Sequence, residues 1–234
     1  MISELALTAI NLILWLCVAV GLVLGVLSFI YGGLSKRSVW FAITMIVSAA
    51  WSIMMLISYA NDAEFQIGAA GWLNLPPVLL FFTTPMMALT YVNIPTWARR
   101  VIYVLAMIPV ILFSSLMVFA PNFLLLYASS GPDGTQYLLE FNPVTIIQLG
   151  ISIVLLTIVT MIIMVRAIKE ARTSLGKKLM RNVMIGFLCG FLLGALFNLV
   201  MSDLHWWHWL GPTATLIYAF TMYRAVIKYG ADEV

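Results

Sequence analysis

Residues 5–31 read LALTAINLILWLCVAVGLVLGVLSFIY, and this stretch decides the class of fold. It contains no charged side chain, and it is longer than the roughly 20 residues that a helix needs to cross a membrane. A secretory signal peptide would place basic residues before an apolar run of only about 7 to 15 residues. The stretch is therefore predicted to be a membrane-spanning helix.

The composition of the whole chain agrees with this prediction. Of its 234 residues, 63% are hydrophobic and 9% are charged, and the mean hydropathy is +1.06. Soluble domains carry about 25% charged residues, so an ordinary soluble globule is excluded. Seven spans of about 22 residues would use roughly two thirds of the chain. The remaining loops are too short for a soluble catalytic or nucleic-acid-binding domain.

Apolar segments of similar length recur along the sequence. The third contains Pro76, Pro77 and Pro85, and it is expected to be kinked or locally unwound. We predict an all-α membrane protein, a seven-transmembrane helix bundle that forms a single domain over residues 1–234. Its spans are predicted at about 5–31, 39–60, 70–94, 101–120, 143–166, 182–202 and 209–228.

The basic residues predict the orientation of this bundle. All 12 Lys and Arg residues lie on one side, between spans 1 and 2, 3 and 4, or 5 and 6, or at the end of span 7. The other side carries acidic residues such as Asp62, Asp133 and Glu140. Cytoplasmic loops of membrane proteins are enriched in Lys and Arg. The N-terminus is therefore predicted outside and the C-terminus in the cytoplasm.

The predicted outer loops have their own signals. Residues 121–142 contain the turn sequence Gly-Pro-Asp-Gly between two aromatic-aliphatic runs. This pattern favours a β-hairpin over the outer mouth, with an interfacial loop as the alternative. Trp206, Trp207 and Trp209 would place indole rings at the headgroup level before span 7.

Several functional classes do not fit the predicted spans. No Asp, Glu, Lys or Arg lies deep in a span, which disfavours ion pumping. Retinal needs a lysine near the middle of the last helix, whereas Lys228 lies about nine residues, or roughly 13 Å, from it. No nucleophile elbow, P-loop, HExxH motif or carboxylate pair is present, so the protein is not expected to be an enzyme.

The metal-ligating residue types give no strong site either. Cys17 and Cys189 lie inside apolar runs and are predicted to be packing residues. His205 and His208 are three residues apart and could share one helix face, but no third ligand accompanies them. An interfacial position among tryptophans explains both histidines better. No metal and no cofactor is expected.

Small residues recur at helical spacing in two spans. Gly186, Gly190 and Gly194 form two overlapping GxxxG steps in span 6, and Gly21 and Gly25 form another in span 1. Such faces let a second backbone approach closely. They predict either helix packing within the bundle or a homodimer face.

Polar residues within the spans share one depth in the outer half. Amides are costly when they face lipid, so they should face the bundle interior. The pattern predicts an outward-opening ligand pocket, with interhelical hydrogen bonding as the alternative. The ligand would be small and largely uncharged, because no buried ionic group is available to pair with a charge. The predicted pocket residues are Asn74, Gln148, Asn198, Trp206, Thr213 and Thr215, and Asn11 lies at similar depth.

Asp203 precedes the last span, and residues 209–230 read WLGPTATLIYAFTMYRAVIKYG. This span, with the acidic residue before it, resembles the N-terminal seven-transmembrane region of bacterial sensor histidine kinases. In that family an acidic residue precedes a Gly-Pro pair and an apolar span, which ends in a Tyr-Ala-Ile-like stretch and a basic-aromatic pair. The Asn142-Pro143 pair before span 5 and the long basic loop before span 6 also match. The matching residues of the last span are Asp203, Gly211, Pro212, Tyr223, Arg224, Ala225, Ile227, Lys228 and Tyr229.

This resemblance implies an input module of a two-component system in the bacterial inner membrane. Such a module detects an external or lipid-phase signal and relays it through span 7 to a cytoplasmic output. No PAS, dimerisation or kinase region follows span 7 here, so either an excised input domain or a stand-alone protein with a signalling partner is expected. Two alternatives stay open: an accessory subunit of a larger membrane complex, and a carrier for a small neutral solute with Pro76-Pro77 as a broken-helix signature.

Overall fold

A computed structural model of the chain describes the backbone of residues 4–60, 63–119, 125–130, 137–141, 143–195, 211–223 and 225. Side chains are described within 8–57, 75–116, 150–194 and 211–223, and at 72, 118 and 225. The described fold is helical, with one two-stranded hairpin, β1 Leu125–Ser130 and β2 Tyr137–Phe141. Its helices are α1 Glu4–Gly32, α2 Lys36–Ala60, α3 Ala63–Ala88, α4 Thr96–Phe119, α5 Pro143–Glu170, α6 Ser174–Ala195 and α7 Thr213–Tyr223.

Four of these helices contain stretches long and apolar enough to cross a membrane. The stretches are Thr8–Gly32, Lys36–Ile57, Thr96–Leu116 and Gly150–Glu170, in α1, α2, α4 and α5. Helix α3 and the 3-10 turn Leu89–Tyr91 after it contribute a shorter apolar stretch, Leu75–Tyr91. A spanning helix needs about 20 largely apolar residues because it must satisfy all its backbone groups internally. The described helices are therefore those of a membrane protein.

Local capping residues set several of the helix ends. Helix α1 ends at Gly32, and Gly33 follows with φ +59°, a left-handed conformation that glycine adopts without steric cost. The Ser35 hydroxyl accepts a hydrogen bond from the Ser38 N–H (3.2 Å) and caps the start of α2. Thr173 caps α6 in the same way, because its hydroxyl accepts from the Gly176 N–H (2.9 Å).

Helix α3 differs from the sequence-based expectation. It is assigned as a continuous α-helix through Pro76, Pro77 and Pro85, and it changes to a 3-10 turn only at Leu89–Tyr91. The helix is therefore not locally unwound at the prolines, whereas a kink at them stays a prediction. Helix α3 packs against α2, α4 and α5, and these contacts hold the helical backbone where proline alone favours a break.

Helix α6 begins at Ser174, earlier than the predicted start at 182. The first three turns are amphipathic, since Leu179, Met180 and Val183 are buried while Lys177 and Lys178 are exposed. Hydropathy detects only the apolar part of such a helix. The cap at Thr173 and the buried apolar side extend it toward α5.

The turn sequence Gly-Pro-Asp-Gly does lie between two paired strands. Strands β1 and β2 are antiparallel, with Ala128 opposite Leu139 and Ser130 opposite Tyr137. The register is irregular between Leu125 and Tyr127. The hairpin is therefore confirmed, whereas its position over an outer mouth stays a prediction.

One hydrophobic core connects all seven described helices. Helix α7 contacts α1, α2 and α6, and α3 contacts α2, α4 and α5. The largest side chains of the core are almost fully buried, among them Phe41, Met45, Met86, Met87 and Met222. The last helix is thus packed among its neighbours.

Candidate functional site

The predicted pocket residues fall into three groups in the structure. Asn198 and Trp206 lie outside the described residues, as do His205 and His208. Asn74 lies on α3 and Gln148 on α5, in parts of those helices whose side chains are not described. Thr213 and Thr215 lie in the first turn of α7 and are half-buried. The outer pocket therefore stays a prediction.

Thr215 connects α7 to α2. Its hydroxyl forms a hydrogen bond with the Ser48 hydroxyl, and it also donates to the Pro212 carbonyl (2.6 Å). Ser48 lies on the buried side of α2, one turn before Ser52, whose hydroxyl donates to the Ser48 carbonyl (3.2 Å). The Thr215 hydroxyl is thus used in interhelical hydrogen bonding, the alternative role that the sequence pattern left open.

Tyr218 connects α7 to two further helices, and sequence reasoning did not identify it. The side chain is buried, and its hydroxyl points to the sulfur of Met87 on α3 at 4.0 Å. Its ring packs edge-on against Phe187 of α6, with centroids 5.9 Å apart. Tyr218 lies one turn after Ala214, and both residues face α6. The sequence signal that could have identified Tyr218 is its i, i+4 spacing from Ala214, which places both residues on the helix face that packs against the glycines.

The glycines of span 6 lie against α7 within the same chain. A Cβ built on Gly190 would lie 2.9 Å from the Ala214 carbonyl oxygen, and one built on Gly186 would overlap the side chain of Thr221. A Cβ on Gly194 would lie 3.7 Å from the Cβ of Ala214, an ordinary contact distance. This face of α6 therefore packs against α7, the helix-packing role that the sequence pattern allowed, and a homodimer stays a prediction.

The glycines of span 1 have the same role toward α2. A Cβ built on Gly21 would lie 3.0 Å from the Met45 carbonyl oxygen and 3.2 Å from the Cβ of Ala49. The corresponding contacts of Gly25 are looser, at 3.7 Å from the Ala42 carbonyl oxygen. Close backbone approach therefore joins α1 to α2 and α6 to α7.

A second polar cluster lies where the basic residues gather, at the end of the bundle formed by the start of α2 and the end of α5. We call this end the basic end. The guanidinium of Arg37 lies over the ring of Tyr91, 4.7 Å from its centroid, and its Nε donates to the Thr90 carbonyl (3.5 Å). A guanidinium over an aromatic face is a favourable cation–π geometry. This contact joins α2 to the 3-10 turn that ends α3.

The other half of this cluster joins α5 to the α3–α4 connection. Arg166 donates through its Nη2 to the Asn93 carbonyl (2.9 Å), and Glu170 accepts from the Asn93 N–H (3.1 Å). Arg166 and Glu170 also form an ion pair, with Nε and Oε1 2.5 Å apart. The backbone of Asn93 is thus held from both sides by one turn of α5. The i, i+4 spacing of Arg166 and Glu170 was the sequence signal for the ion pair, but not for Asn93.

The chemistry of these clusters is that of hydrogen bonding and packing. Within the described ranges, no group of three or more His, Cys, Asp or Glu side chains could hold a metal ion. Cys17 is buried and Cys189 is exposed, and both are free thiols. The described polar groups hold helices in position.

The chain matches no protein-family model, no curated protein and no solved structure. The resemblance to the sensor region of histidine kinases therefore rests on the residues quoted for it.

The α6–α7 contact predicts opposite outcomes for two similar substitutions. Gly190→Ala should destabilise the protein by about 1–3 kcal/mol, since the new methyl group meets a backbone carbonyl that cannot move aside. Gly194→Ala should be neutral or stabilising by up to about 1 kcal/mol, because the methyl group finds ordinary contact distance and alanine favours the helix. Unfolding of both variants in detergent measures the difference. Equal effects would contradict the close approach at Gly190.

Arg166 and Glu170 bind the two sides of the Asn93 backbone, and we call this pair of bonds the Asn93 clamp. The clamp predicts that exchanging the two charges does not reproduce the wild-type hydrogen bonding at Asn93. Arg166→Glu with Glu170→Arg keeps an ion pair, but Arg at 170 cannot accept from the Asn93 N–H and Glu at 166 cannot donate to its carbonyl. The loss of stability should stay within about 1 kcal/mol, because the pair is partly exposed. Hydrogen exchange of the Asn93 amide should be faster in the swap than in Glu170→Gln, which keeps an acceptor. Equal exchange in the two variants would rule the clamp out.

Proposed function

We propose that the chain is a seven-span membrane protein with its N-terminus outside and its C-terminus in the cytoplasm, and that it acts as a sensor input module. It detects a small, largely uncharged ligand from outside or from the lipid phase. It relays binding through α7 to a cytoplasmic output. The orientation is supported by the segregation of all 12 basic residues to alternate connections of the sequence.

The position of α7 is the observation that carries this proposal. Within its first two turns, Thr215 bonds to Ser48 of α2, and Ala214 and Tyr218 pack on the glycines of α6. Tyr218 also reaches Met87 of α3. The 11 described residues of α7 are about 16 Å long at 1.5 Å per residue. A displacement at the start of this helix therefore alters contacts with three neighbours.

The character of these contacts also supports a relay. Hydroxyl groups, small apolar groups and the buried side chains of Tyr218 and Met222 hold α7, and no charged pair among the described residues anchors it to a neighbour. A ligand shifts such a helix only by binding its two positions with different affinity. Exchanging hydroxyl and van der Waals contacts costs less than burying an unpaired charge would. The described contacts are thus compatible with two alternative positions of α7.

Reporter fusions test the predicted topology. Fusions at residues 65 and 130 should report the outside, and fusions at 174 and 234 should report the cytoplasm, since the basic segments stay on the cytoplasmic side. Paired reporters, one active only outside and one only in the cytoplasm, provide the control at each site. A cytoplasmic signal at residue 130 would overturn the seven-span arrangement.

Spin labels test the relay. With Cys17 and Cys189 replaced by alanine, labels at Arg100→Cys and Lys228→Cys give a distance between the start of α4 and the end of span 7. Thr215→Val removes the bond to Ser48 and should shift this distance on the order of 1–2 Å. Thr157→Val is the matched control, because the Thr157 hydroxyl donates to the Ile153 carbonyl of its own helix (2.8 Å).

The same labels connect the relay to a ligand. Neutral compounds that raise the melting temperature of the reconstituted protein should change the same distance. A compound that stabilises the protein while both it and Thr215→Val leave the distance unchanged would make α7 a packing element and refute the relay.

A further inference from the structure

The basic end carries a surface that the sensor proposal does not use. It consists of five exposed side chains at the end of α5, in the connection after it and in the first two turns of α6. We call this set the basic surface: Lys169, Arg172, Lys177, Lys178 and Arg181. Lys177 and Lys178 both lie on the side of α6 that carries Arg181, because Arg181 is four positions after Lys177 and three after Lys178, and residues three and four positions apart are neighbours on a helix.

No acidic side chain in the described part of the chain compensates the charge of this surface. Glu170 is the only acidic residue between Arg166 and Ala195. Its carboxylate is already bound by the Arg166 guanidinium and by the Asn93 N–H. Among the described side chains, no acidic group pairs with the five basic ones. The bonds to Arg166 and to the Asn93 N–H thus engage Glu170, the acidic residue that lies among these basic residues in the sequence.

The basic surface lies where the apolar helix surfaces end. The apolar stretch of α5 ends at Glu170, and on α6 the buried side begins with Gly176, Leu179 and Met180. Lys and Arg at the ends of spanning helices extend their charged groups to the lipid headgroups. The start of α6 adds the partial positive charge of a helix N-terminus.

We propose that the basic surface binds the anionic headgroups of membrane phospholipids. Charge complementarity selects this occupant: five cations at headgroup depth face phosphate groups, and Arg172 and Arg181 have the planar geometry that binds two phosphate oxygens at once. The proposal depends on membrane insertion and not on the sensor function. It can therefore hold if α7 proves to be only a packing element.

Native mass spectrometry of the full chain, released from detergent with added lipid, tests the proposal. Titration with phosphatidylglycerol gives the Kd of the first bound lipid, and titration with phosphatidylcholine gives the zwitterionic baseline. The chain should bind phosphatidylglycerol more tightly. Lys177→Gln with Lys178→Gln should weaken phosphatidylglycerol binding by about fivefold per residue removed, and added salt should weaken it as well.

Two further variants make the test specific. Lys36→Gln with Arg100→Gln removes the same charge from exposed residues at the starts of α2 and α4, and it should leave the Kd close to that of the wild type. Lys177→Arg with Lys178→Arg retains the charge and should bind like the wild type. Far-UV circular dichroism confirms that each variant keeps its helices. An equal loss in the Lys36/Arg100 variant would show a net-charge effect and overturn the proposal. Equal affinity for the two lipids would also overturn the proposal, and it would favour an acidic protein as the partner of the basic surface.

Discussion

The close approach of α6 and α7 is the contact on which the described arrangement of the last helix depends. In a membrane the hydrophobic effect does not drive helices together, so van der Waals packing and hydrogen bonds must do so. Gly190 lets the Ala214 backbone come so near that a Cβ would lie 2.9 Å from its carbonyl oxygen. This approach brings Tyr218 to Phe187 and Met87, and it places Thr215 beside Ser48.

Hydrogen bonding also determines how the polar groups inside the helices are arranged. Several of the described hydroxyls donate to a carbonyl of their own helix, as Thr44 does to Trp40 and Thr160 to Leu156. Such bonds satisfy the hydroxyl without any partner helix. The bond between Thr215 and Ser48 is different, because it depends on two helices that are far apart in the sequence. It is therefore a contact that a movement of α7 would break.

The basic end contains both engaged and exposed basic side chains. Arg37 and Arg166 are engaged with the segment around Tyr91 and Asn93, and they hold the end of α3 to α2 and α5. The neighbouring basic side chains on α6 remain exposed. Basic residues that look equivalent in the sequence thus have two roles: some bind the protein's own backbone, and others face the surroundings.

The sequence by itself determined the class of protein and the approximate positions of the helices, because hydropathy and turn residues are local properties. The predicted span 5–31 became α1 at Glu4–Gly32, and the turn sequence Gly-Pro-Asp-Gly lies between two strands. Only the tertiary structure decided which partner each group meets. Glycine spacing cannot distinguish α7 from a second chain, and the Arg166–Glu170 spacing does not reveal Asn93. Helix α3 continues through its prolines for the same reason, since neighbouring helices supply stabilisation that no local pattern encodes.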